Sequence, residues 1–350
     1  MGDSILSFLL SLTLSLVAGI PVLRLAERFD LMDMPGAAAH KTHAHPTPLA
    51  GGILLVVVFG IIALLFRAWV QTEILVILAG AFVVFLFGLW DDKKGLSAIP
   101  KLIGQSLAAI LLISFGVKVQ FMTALAEAGY IPQMLADVLN FTVTMLWVVG
   151  ITNAINLIDS MDGIVAGFGV IAAAFFVGAT QVSSQGSISF WAAALLGTCG
   201  GLYFWNSIKA KFFLGDSGAQ TIGFILASLG IMYNPLYRSP ESSWIVPILI
   251  LAYPIFDTSL VTLSRIRRRQ AVGIGRRDHT YHRLIAIGMK PRLAVSSVHA
   301  ASLIISGLAF SSLYMSPLVA LIIFFAIILI GIILLIWLER KPSLDETNVE

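Results

Sequence analysis

The sequence has 350 residues, of which 58% are hydrophobic and 12% charged, and its mean hydropathy is +0.93. This composition excludes an ordinary soluble domain and predicts an all-α polytopic membrane protein. The formal net charge is only +3, and a single cysteine, Cys199, excludes an intrachain disulfide.

Apolar stretches long enough to cross a bilayer follow one another along the chain and leave no room for a separate soluble domain. We therefore predict one integral-membrane domain over residues 1–338 and a short charged cytoplasmic tail over residues 339–350. The eleven predicted spans are about residues 4–23, 49–66, 72–90, 100–118, 138–156, 162–181, 188–206, 215–232, 243–262, 293–312 and 317–338.

The basic residues predict how these spans are oriented. With the N-terminus outside, nineteen of the 22 lysines and arginines lie on the cytoplasmic side, only Arg67 and Arg238 lie outside, and Lys118 is at a span end. Cytoplasmic loops of membrane proteins carry such an excess of positive charge. We therefore expect a basic cytoplasmic face, a cytoplasmic C-terminus and no binding of nucleic acid.

The first cytoplasmic loop is rich in histidine and also contains Lys41. His40, His43 and His45 lie close together, but neither a cysteine nor a helical HExxH pair accompanies them, which argues against zinc. Lys41 is a candidate contact for a phosphate, with a lipid headgroup as the alternative.

Carboxylates mark the ends of two further spans. Asp91 and Asp92 end the third span and repel each other unless a cation or bulk water screens them, so a solvated helix end is the alternative reading. Asp216 lies between Gly215 and Ser217 at the start of a later span. It is either a helix N-cap or a third carboxylate at the same membrane face.

A polar run from Asn153 to Gly163 separates two spans. Asn153, Asn156, Asp159 and Asp162 recur at intervals of three, so a helical backbone would place all four on one face. Such a row of oxygen ligands suits a hard cation such as Mg²⁺. The alternative is a polar loop with a helix cap.

The last cytoplasmic loop, residues 265–283, is rich in arginine. Most of these arginines are predicted to set the topology or to face lipid headgroups. His279 and His282 are different, because a histidine pair among arginines suits a multiply anionic ligand such as a diphosphate.

All these polar groups fall in one predicted compartment, while the spans are almost free of charge. A coupled transporter would be expected to carry ionisable groups near the midplane of the membrane. The arrangement instead favours a metal-assisted reaction on phosphates that joins a cytoplasmic donor to a lipid acceptor.

Taken in order, the motifs resemble those of the polyprenyl-phosphate N-acetylhexosamine-1-phosphate transferases of glycosyltransferase family 4, the WecA/TagO-type branch more than the MraY branch. The resemblance rests on five segments that cover nearly the whole chain: Lys41 to Gly52, Asp91-Asp92, Asn153 to Gly163, Phe213 to Gly218, and Arg265 to Arg283. It implies a multi-pass enzyme of the bacterial inner membrane with its active site facing the cytoplasm.

Such an enzyme transfers N-acetylhexosamine-1-phosphate, by default that of N-acetylglucosamine, from a UDP-sugar to undecaprenyl or another polyprenyl phosphate. It releases UMP with the help of Mg²⁺ or Mn²⁺ and starts a lipid-linked glycan of the cell envelope, such as lipopolysaccharide or a wall polysaccharide. A homodimer is also implied. The residue roles that the resemblance implies are Asp91, Asp92 and Asp159 in catalysis, Asp216 and Asp92 on the metal, and Lys41, Asn156, Asp162, Arg265, His279 and His282 in substrate binding.

Two positions depart from the branch. Tyr281 stands where the branch often has a histidine, and His40 stands where it often has an arginine. Because of these two departures, the resemblance does not decide which sugar the donor carries. The alternatives to a sugar-phosphate transferase are a transporter or flippase of lipid-linked sugars and, less well matched, a CDP-alcohol phosphotransferase.

Overall fold

The computed structural model describes residues 1–35, 45–235, 240–270 and 276–344, and these ranges are almost entirely helical. The first helices are α1 (Gly2–Arg28), α2 (Gly51–Leu65), α3 (Thr72–Lys94), α4 (Ala98–Ser114), α5 (Phe121–Glu127), α6 (Gln133–Leu157), α7 (Ile164–Val182) and α8 (Gly186–Tyr203). They are followed by α9 (Gly215–Met232), α10 (Pro240–Ser243), α11 (Ile245–Ile250), α12 (Ala252–Arg267), α13 (Thr280–Ala286), α14 (Pro291–Ser312) and α15 (Pro317–Glu339). A 3₁₀ turn covers Ala68–Val70, and a π-helical turn, Phe204–Ile208, follows α8.

The chain is a multi-pass membrane protein. Among the described residues, seven helices are long and apolar enough to cross a membrane, and these are α1, α3, α6, α7, α8 with its π-helical turn, α14 and α15. The shorter α2 and α4 are also apolar. Every predicted span contains a helix, but the count of eleven crossings and their orientation stay predictions.

At two places the structure is less regular than one long helix. The span predicted over residues 243–262 is broken near Leu251, because Pro254 has no N–H to bond the carbonyl of Ile250 and its ring disfavours a continuous helix. The run from Asn153 to Gly163 is only half helical, since α6 ends at Leu157. Gly163 then adopts a left-handed φ of +79°, so the residues from Asp159 onward form a turn and not a helical row.

Helix α1 packs closely on α8. Its buried face carries small residues, Ser4, Ser7, Ser11, Ser15 and Gly19. A Cβ added at Gly201 of α8 would come 2.2 Å from the Cβ of Ser15, so the two backbones approach as closely as glycine allows.

Helix α9 is the centre of the bundle and packs against α3 and α6. A Cβ at Gly88 of α3 would lie 2.5 Å from the Cα of Ser217, so glycine is required where the end of α3 meets the start of α9. A short antiparallel pair, β1 (Met32–Asp33) and β2 (Thr47–Pro48), leads into α2. The N–H of Phe213 donates to the carbonyl of Pro48 at 2.9 Å, which holds β2 beside the start of α9.

Candidate active site

Four helix ends meet at one end of the bundle and bring together side chains that are far apart in the sequence. We call this set the carboxylate cluster, and its members are Asp91, Asp92, Lys101, Asn156, Asp159 and Asp216. They come from the end of α3, the start of α4, the end of α6 and the turn after it, and the start of α9.

Lys101 lies between two of these carboxylates. Its Nζ is 2.5 Å from Oδ2 of Asp216 and also forms an ion pair with Asp91. The second oxygen of Asp91 accepts a hydrogen bond from the N–H of Leu96. One ammonium group therefore balances two carboxylates that would otherwise repel each other.

Asp92 has a different role, because its carboxylate caps helix α9 from the neighbouring helix. Oδ1 accepts the N–H of Asp216 at 2.7 Å, while Oδ2 accepts the N–H of Ser217 at 3.2 Å and its Oγ at 2.5 Å. The first N–H groups of a helix have no partner within the helix and favour a negative charge. Gly215, with φ of +73°, turns the chain beneath this carboxylate, and a Cβ there would be 2.8 Å from Oδ2 of Asp92.

Asn156 joins α6 to the cluster. Its Nδ2 donates to Oδ2 of Asp216 at 3.2 Å, and its buried Oδ1 has no hydrogen-bond partner among the described residues. A buried acceptor without a donor is costly and indicates that a further group belongs beside it.

The turn after α6 carries Asp159 and Asp162. Burial raises the pKa of Asp159 well above its ordinary value, and the charges of Asp216, Asp92 and Asp162 raise it further. Asp162 is exposed. The turn is fixed by Asn206, whose Oδ1 accepts the N–H of Gly163 at 2.7 Å and whose Nδ2 donates to the carbonyl of Phe212 at 3.2 Å.

The donor set fits a hard divalent cation. It consists of carboxylate oxygens and the unpaired amide oxygen of Asn156, which are the ligands that Mg²⁺ prefers. Within the described ranges, however, no three His, Cys, Asp or Glu side chains form a closed metal cage. Asp91 and Asp216 instead pair with Lys101, while Asp92 caps α9, so a cation would bind at an open site between these groups.

A second polar group lies beside the first, on α12 and α13. We call it the histidine cluster, and its members are Asp257, Arg265, Asp278, His279, Tyr281 and His282. The fully buried Asp257 accepts the N–H of Thr280 at 2.7 Å on Oδ1, and its Oδ2 is 2.7 Å from Nδ1 of His279. A carboxylate on one ring nitrogen fixes the orientation of the other.

The guanidinium of Arg265 is buried and paired within the protein. Its Nε and Nη2 donate to the two carboxylate oxygens of Asp278 at 2.9 and 2.8 Å. Although burial works in the opposite direction, Arg265 holds the pKa of Asp278 below its ordinary value. This fork-to-fork contact anchors the residue that precedes His279.

His282 and Tyr281 complete the histidine cluster. Burial, together with the nearby His279 and Arg277, lowers the pKa of His282 to about 3, so its ring is neutral at neutral pH. Burial also raises the pKa of Tyr281 well above its ordinary value, with contributions from Asp257 and Asp159. The phenol of Tyr281 therefore lies within electrostatic range of both clusters.

The structure brings together most of the residues singled out in the sequence. Asp91, Asp92, Asn156, Asp159 and Asp216 share one cluster, with Asp162 at its edge. Arg265, His279 and His282 share the other. Lys41 lies outside the described residues, as do His40 and His43, so the predictions made for that loop stay predictions.

Four residues of the site were given no role by sequence reasoning, and these are Lys101, Asn206, Asp257 and Asp278. Lys101 was counted only as one of many basic residues of the cytoplasmic face, although its position just after Pro100 at the start of a span was a usable signal. Asn206 lies at the end of an apolar span, where a buried amide needs partners, and that was its only signal.

A family model and individual relatives both place the chain in the same protein family. The model of glycosyl transferase family 4 matches residues 74–234, the part that contains the whole carboxylate cluster. A Bacillus subtilis protein described as a probable undecaprenyl-phosphate N-acetylglucosaminyl 1-phosphate transferase is 33% identical over 312 residues, which cover 86% of this chain and 83% of that protein.

Two other relatives represent two activities. A decaprenyl-phosphate N-acetylglucosaminephosphotransferase of Mycobacterium leprae is 29% identical over 84% of this chain and 79% of its own length. A phospho-N-acetylmuramoyl-pentapeptide-transferase of Prochlorococcus marinus is 30% identical over 66% of this chain and 68% of its own length.

Proposed function

Because the chain belongs to glycosyl transferase family 4, we propose that it transfers N-acetylglucosamine-1-phosphate from UDP-N-acetylglucosamine to undecaprenyl or another polyprenyl phosphate and releases UMP. The observation that carries this proposal is the carboxylate cluster at the meeting point of α3, α4, α6 and α9, within a chain similar over 86% of its length to a relative named for this activity.

The two clusters divide the work on the substrates. The histidine cluster presents the ring of His279, which Asp257 orients, and the neighbouring ring of His282, and these suit the diphosphate of the donor. The carboxylate cluster, with Lys101 at its centre, is placed to hold the reacting phosphates. Arg265 was predicted to contact the donor diphosphate directly, but its pairing with Asp278 supports the narrower role of holding the histidine segment in place.

Asp216 and Asp92 are the proposed ligands of a Mg²⁺ or Mn²⁺ ion, with the unpaired Oδ1 of Asn156 as a third oxygen. When bound, the ion supplies neutralisation of the phosphate charges. Among the described residues, the donors to Asp216, which are Lys101, Asn156 and Gln220, all bond to its Oδ2, whereas both oxygens of Asp92 accept N–H groups of α9. Asp216 is therefore the more available ligand.

The reaction is proposed to be a direct displacement. One oxygen of the lipid phosphate attacks the β-phosphorus of the donor, and the bond from that phosphorus to the bridging oxygen breaks, so that UMP leaves with the oxygen. The lipid phosphate is already an anionic nucleophile and requires positioning more than activation. A covalent route through Asp92 would draw a carboxylate oxygen out of the cap of α9, which the structure holds with three hydrogen bonds.

We further propose that the chain crosses the bacterial inner membrane eleven times, with its N-terminus outside and both clusters facing the cytoplasm. The support is the distribution of lysine and arginine along the chain. Cysteines introduced at residues 43, 92, 159, 216 and 279 should resist an impermeant reagent in intact cells. Labelling of any of them from outside would contradict the single-face site.

The direct test is UMP release by purified protein supplied with UDP-N-acetylglucosamine, undecaprenyl phosphate and Mg²⁺. We expect turnover that requires both substrates. Binding of lipid-linked sugar without UMP release would indicate a transporter or flippase instead.

A second assay tests the displacement. Labelled UMP should not exchange into the donor when the protein has been stripped of lipid phosphate, since direct attack needs the acceptor. Rapid exchange without the acceptor would restore the covalent aspartate.

A further inference from the structure

Arg283 is fully buried, although it lies in a loop whose arginines were predicted to face lipid headgroups. It directly follows His282 in α13. A guanidinium charge inside a protein is stable only when its donors are satisfied and a negative group is near.

The donors of Arg283 connect three separate parts of the chain. Nε donates to the carbonyl of Asp278 at 3.0 Å, and Nη2 donates to Oγ of Ser264 on α12 at 2.8 Å. Nη1 faces the end of α15 and donates to the carbonyls of Leu338, Glu339 and Lys341 at 3.1, 3.3 and 2.8 Å.

The end of α15 is a suitable partner for a buried cation. The last carbonyls of a helix have no partner within the helix and carry a partial negative charge, so a guanidinium there completes their hydrogen bonds and meets a favourable dipole. Neighbouring contacts strengthen this junction. Arg267 pairs with the buried carboxylate of Glu339, Arg268 donates to the carbonyl of Glu339 at 3.3 Å, and the N–H of Leu344 donates to the carbonyl of Arg277 at 3.2 Å.

Asp278 is thus held from two sides, because Arg265 binds its carboxylate and Arg283 binds its carbonyl. The next residue is His279, whose ring is oriented by Asp257. The placement of both histidines therefore depends on a junction that includes the end of α15, more than fifty residues further along the chain.

We propose that Arg283 is a positioning residue for the donor site, which fixes His279 and His282 by joining their segment to Ser264 and to the end of α15. This inference rests on the proposed function, because it assigns the histidines to the donor diphosphate. Arg283 itself touches no substrate in this account.

The test compares full-length Arg283→Lys and Ser264→Ala with Arg292→Gln, a control that removes a positive charge from an exposed position at the start of α14. A lysine keeps the charge but loses the planar fork. We expect Arg283→Lys to raise the KM for UDP-N-acetylglucosamine at least roughly tenfold, since small misplacements of binding groups are costly. The KM for undecaprenyl phosphate should stay within about twofold.

Ser264→Ala removes only the hydroxyl that accepts from Nη2 of Arg283, so it should raise the KM for UDP-N-acetylglucosamine less than Arg283→Lys does. This variant still tests the proposal if Arg283→Lys folds poorly. Arg292→Gln should match the unmodified protein. A loss of kcat with both KM values unchanged would mean that Arg283 only supports the fold, and would overturn the proposal, as would an unchanged donor KM in both variants.

Hydrogen exchange separates this inference from the proposed function. Amides of residues 280–286 should exchange faster in Arg283→Lys, while those of α9 should not change. If the unmodified protein gives no turnover but this exchange pattern is found, the proposed function fails and the positioning of the segment stands. If the unmodified protein turns over and the pattern is absent, the inference fails alone.

Discussion

In the carboxylate cluster Asp91 and Asp216 share the ammonium of Lys101, whereas in the histidine cluster Asp257 and Asp278 each have a partner of their own. The first arrangement keeps an excess of negative charge, and within the part of the chain that the structure describes the amide oxygen of Asn156 has no hydrogen-bond partner. In the second, His279 and Arg265 each bind one carboxylate, although Nδ1 of His282 and the hydroxyl of Tyr281 have no hydrogen-bond partner among the described residues. The difference in charge supports the proposal that the carboxylate cluster accepts a cation, while the ion pairs of the histidine cluster hold its own side chains in place.

Among the substitutions considered, Asp216→Asn in the carboxylate cluster should reduce activity the most. The amide keeps the size of the side chain but removes the charge that faces Lys101 and the proposed cation. We expect turnover to fall roughly 10³-fold, a loss typical of a group that stabilises charge in a transition state. The measurement is kcat for UMP release by protein whose thermal unfolding is unchanged, with the exposed Asp137→Asn of α6 as the matched control. Near-normal turnover would remove Asp216 from the site.

Lys101→Met tests the same cluster by removing the ammonium group that Asp91 and Asp216 share. Without the ammonium, Asp91 and Asp216 repel each other, so the metal-free protein should unfold at a lower temperature and Mg²⁺ should restore more stability than it does in the unmodified protein. Turnover should fall roughly 10²-fold. Thermal unfolding with EDTA and with Mg²⁺ checks the first point, and Lys94→Met, at the exposed end of α3, is the control. An equal Mg²⁺ effect in all three proteins would contradict the role given to Lys101.

Sequence reasoning located the carboxylates because each stands out against apolar spans, as Asp91 and Asp216 do. It did not predict how they are balanced, since the partner of Asp216 is Lys101, 115 residues away, and only the packing of α4 near α9 brings the two together. The burial of Arg283 was not predicted for the same reason. An arginine in a basic loop is normally at the surface, and nothing local shows that the end of α15 will cover it.

The histidine cluster tolerates a milder change. Tyr281→His restores the residue that the family often has at this place, and activity should stay within roughly tenfold, because His279 and His282 are the proposed donors to the diphosphate. The measurement is kcat/KM for the donor. Tyr281→Phe removes only the hydroxyl, which has no hydrogen-bond partner among the described residues, and serves as the reference. A much larger loss in Tyr281→His would show that the phenol has a role of its own.

The last prediction concerns pH and stability and not turnover. The ordinary pKa of histidine is 6.5, and that of His282 is lowered to about 3, so below pH 6.5 the unfolded chain binds a proton that the folded protein does not. The free energy of unfolding should therefore decrease as the pH falls from 6.5 towards 3. Thermal unfolding in detergent should show a shallower pH dependence for His282→Gln than for the unmodified protein, and the comparison cancels the carboxylates that titrate in the same range. Identical slopes would mean that His282 is protonated in the folded state.

The close contact of α1 with α8 has a consequence for the order in which the protein is made. During synthesis α1 enters the membrane long before α8 exists, and its serines then face lipid. Ser11 and Ser15 need no partner from α8, because each hydroxyl donates to a carbonyl of its own helix. Ser11 donates to the carbonyl of Phe8 at 3.0 Å, and Ser15 donates to the carbonyl of Ser11 at 2.6 Å. Ser4 and Ser7 instead bond to Ser189 and to the carbonyl of Phe190 on α8, at 3.0 and 2.8 Å. The hydroxyls of Ser11 and Ser15 thus have their acceptors within α1 as soon as this helix is inserted. The hydroxyls of Ser4 and Ser7 gain theirs only when α8 packs against α1.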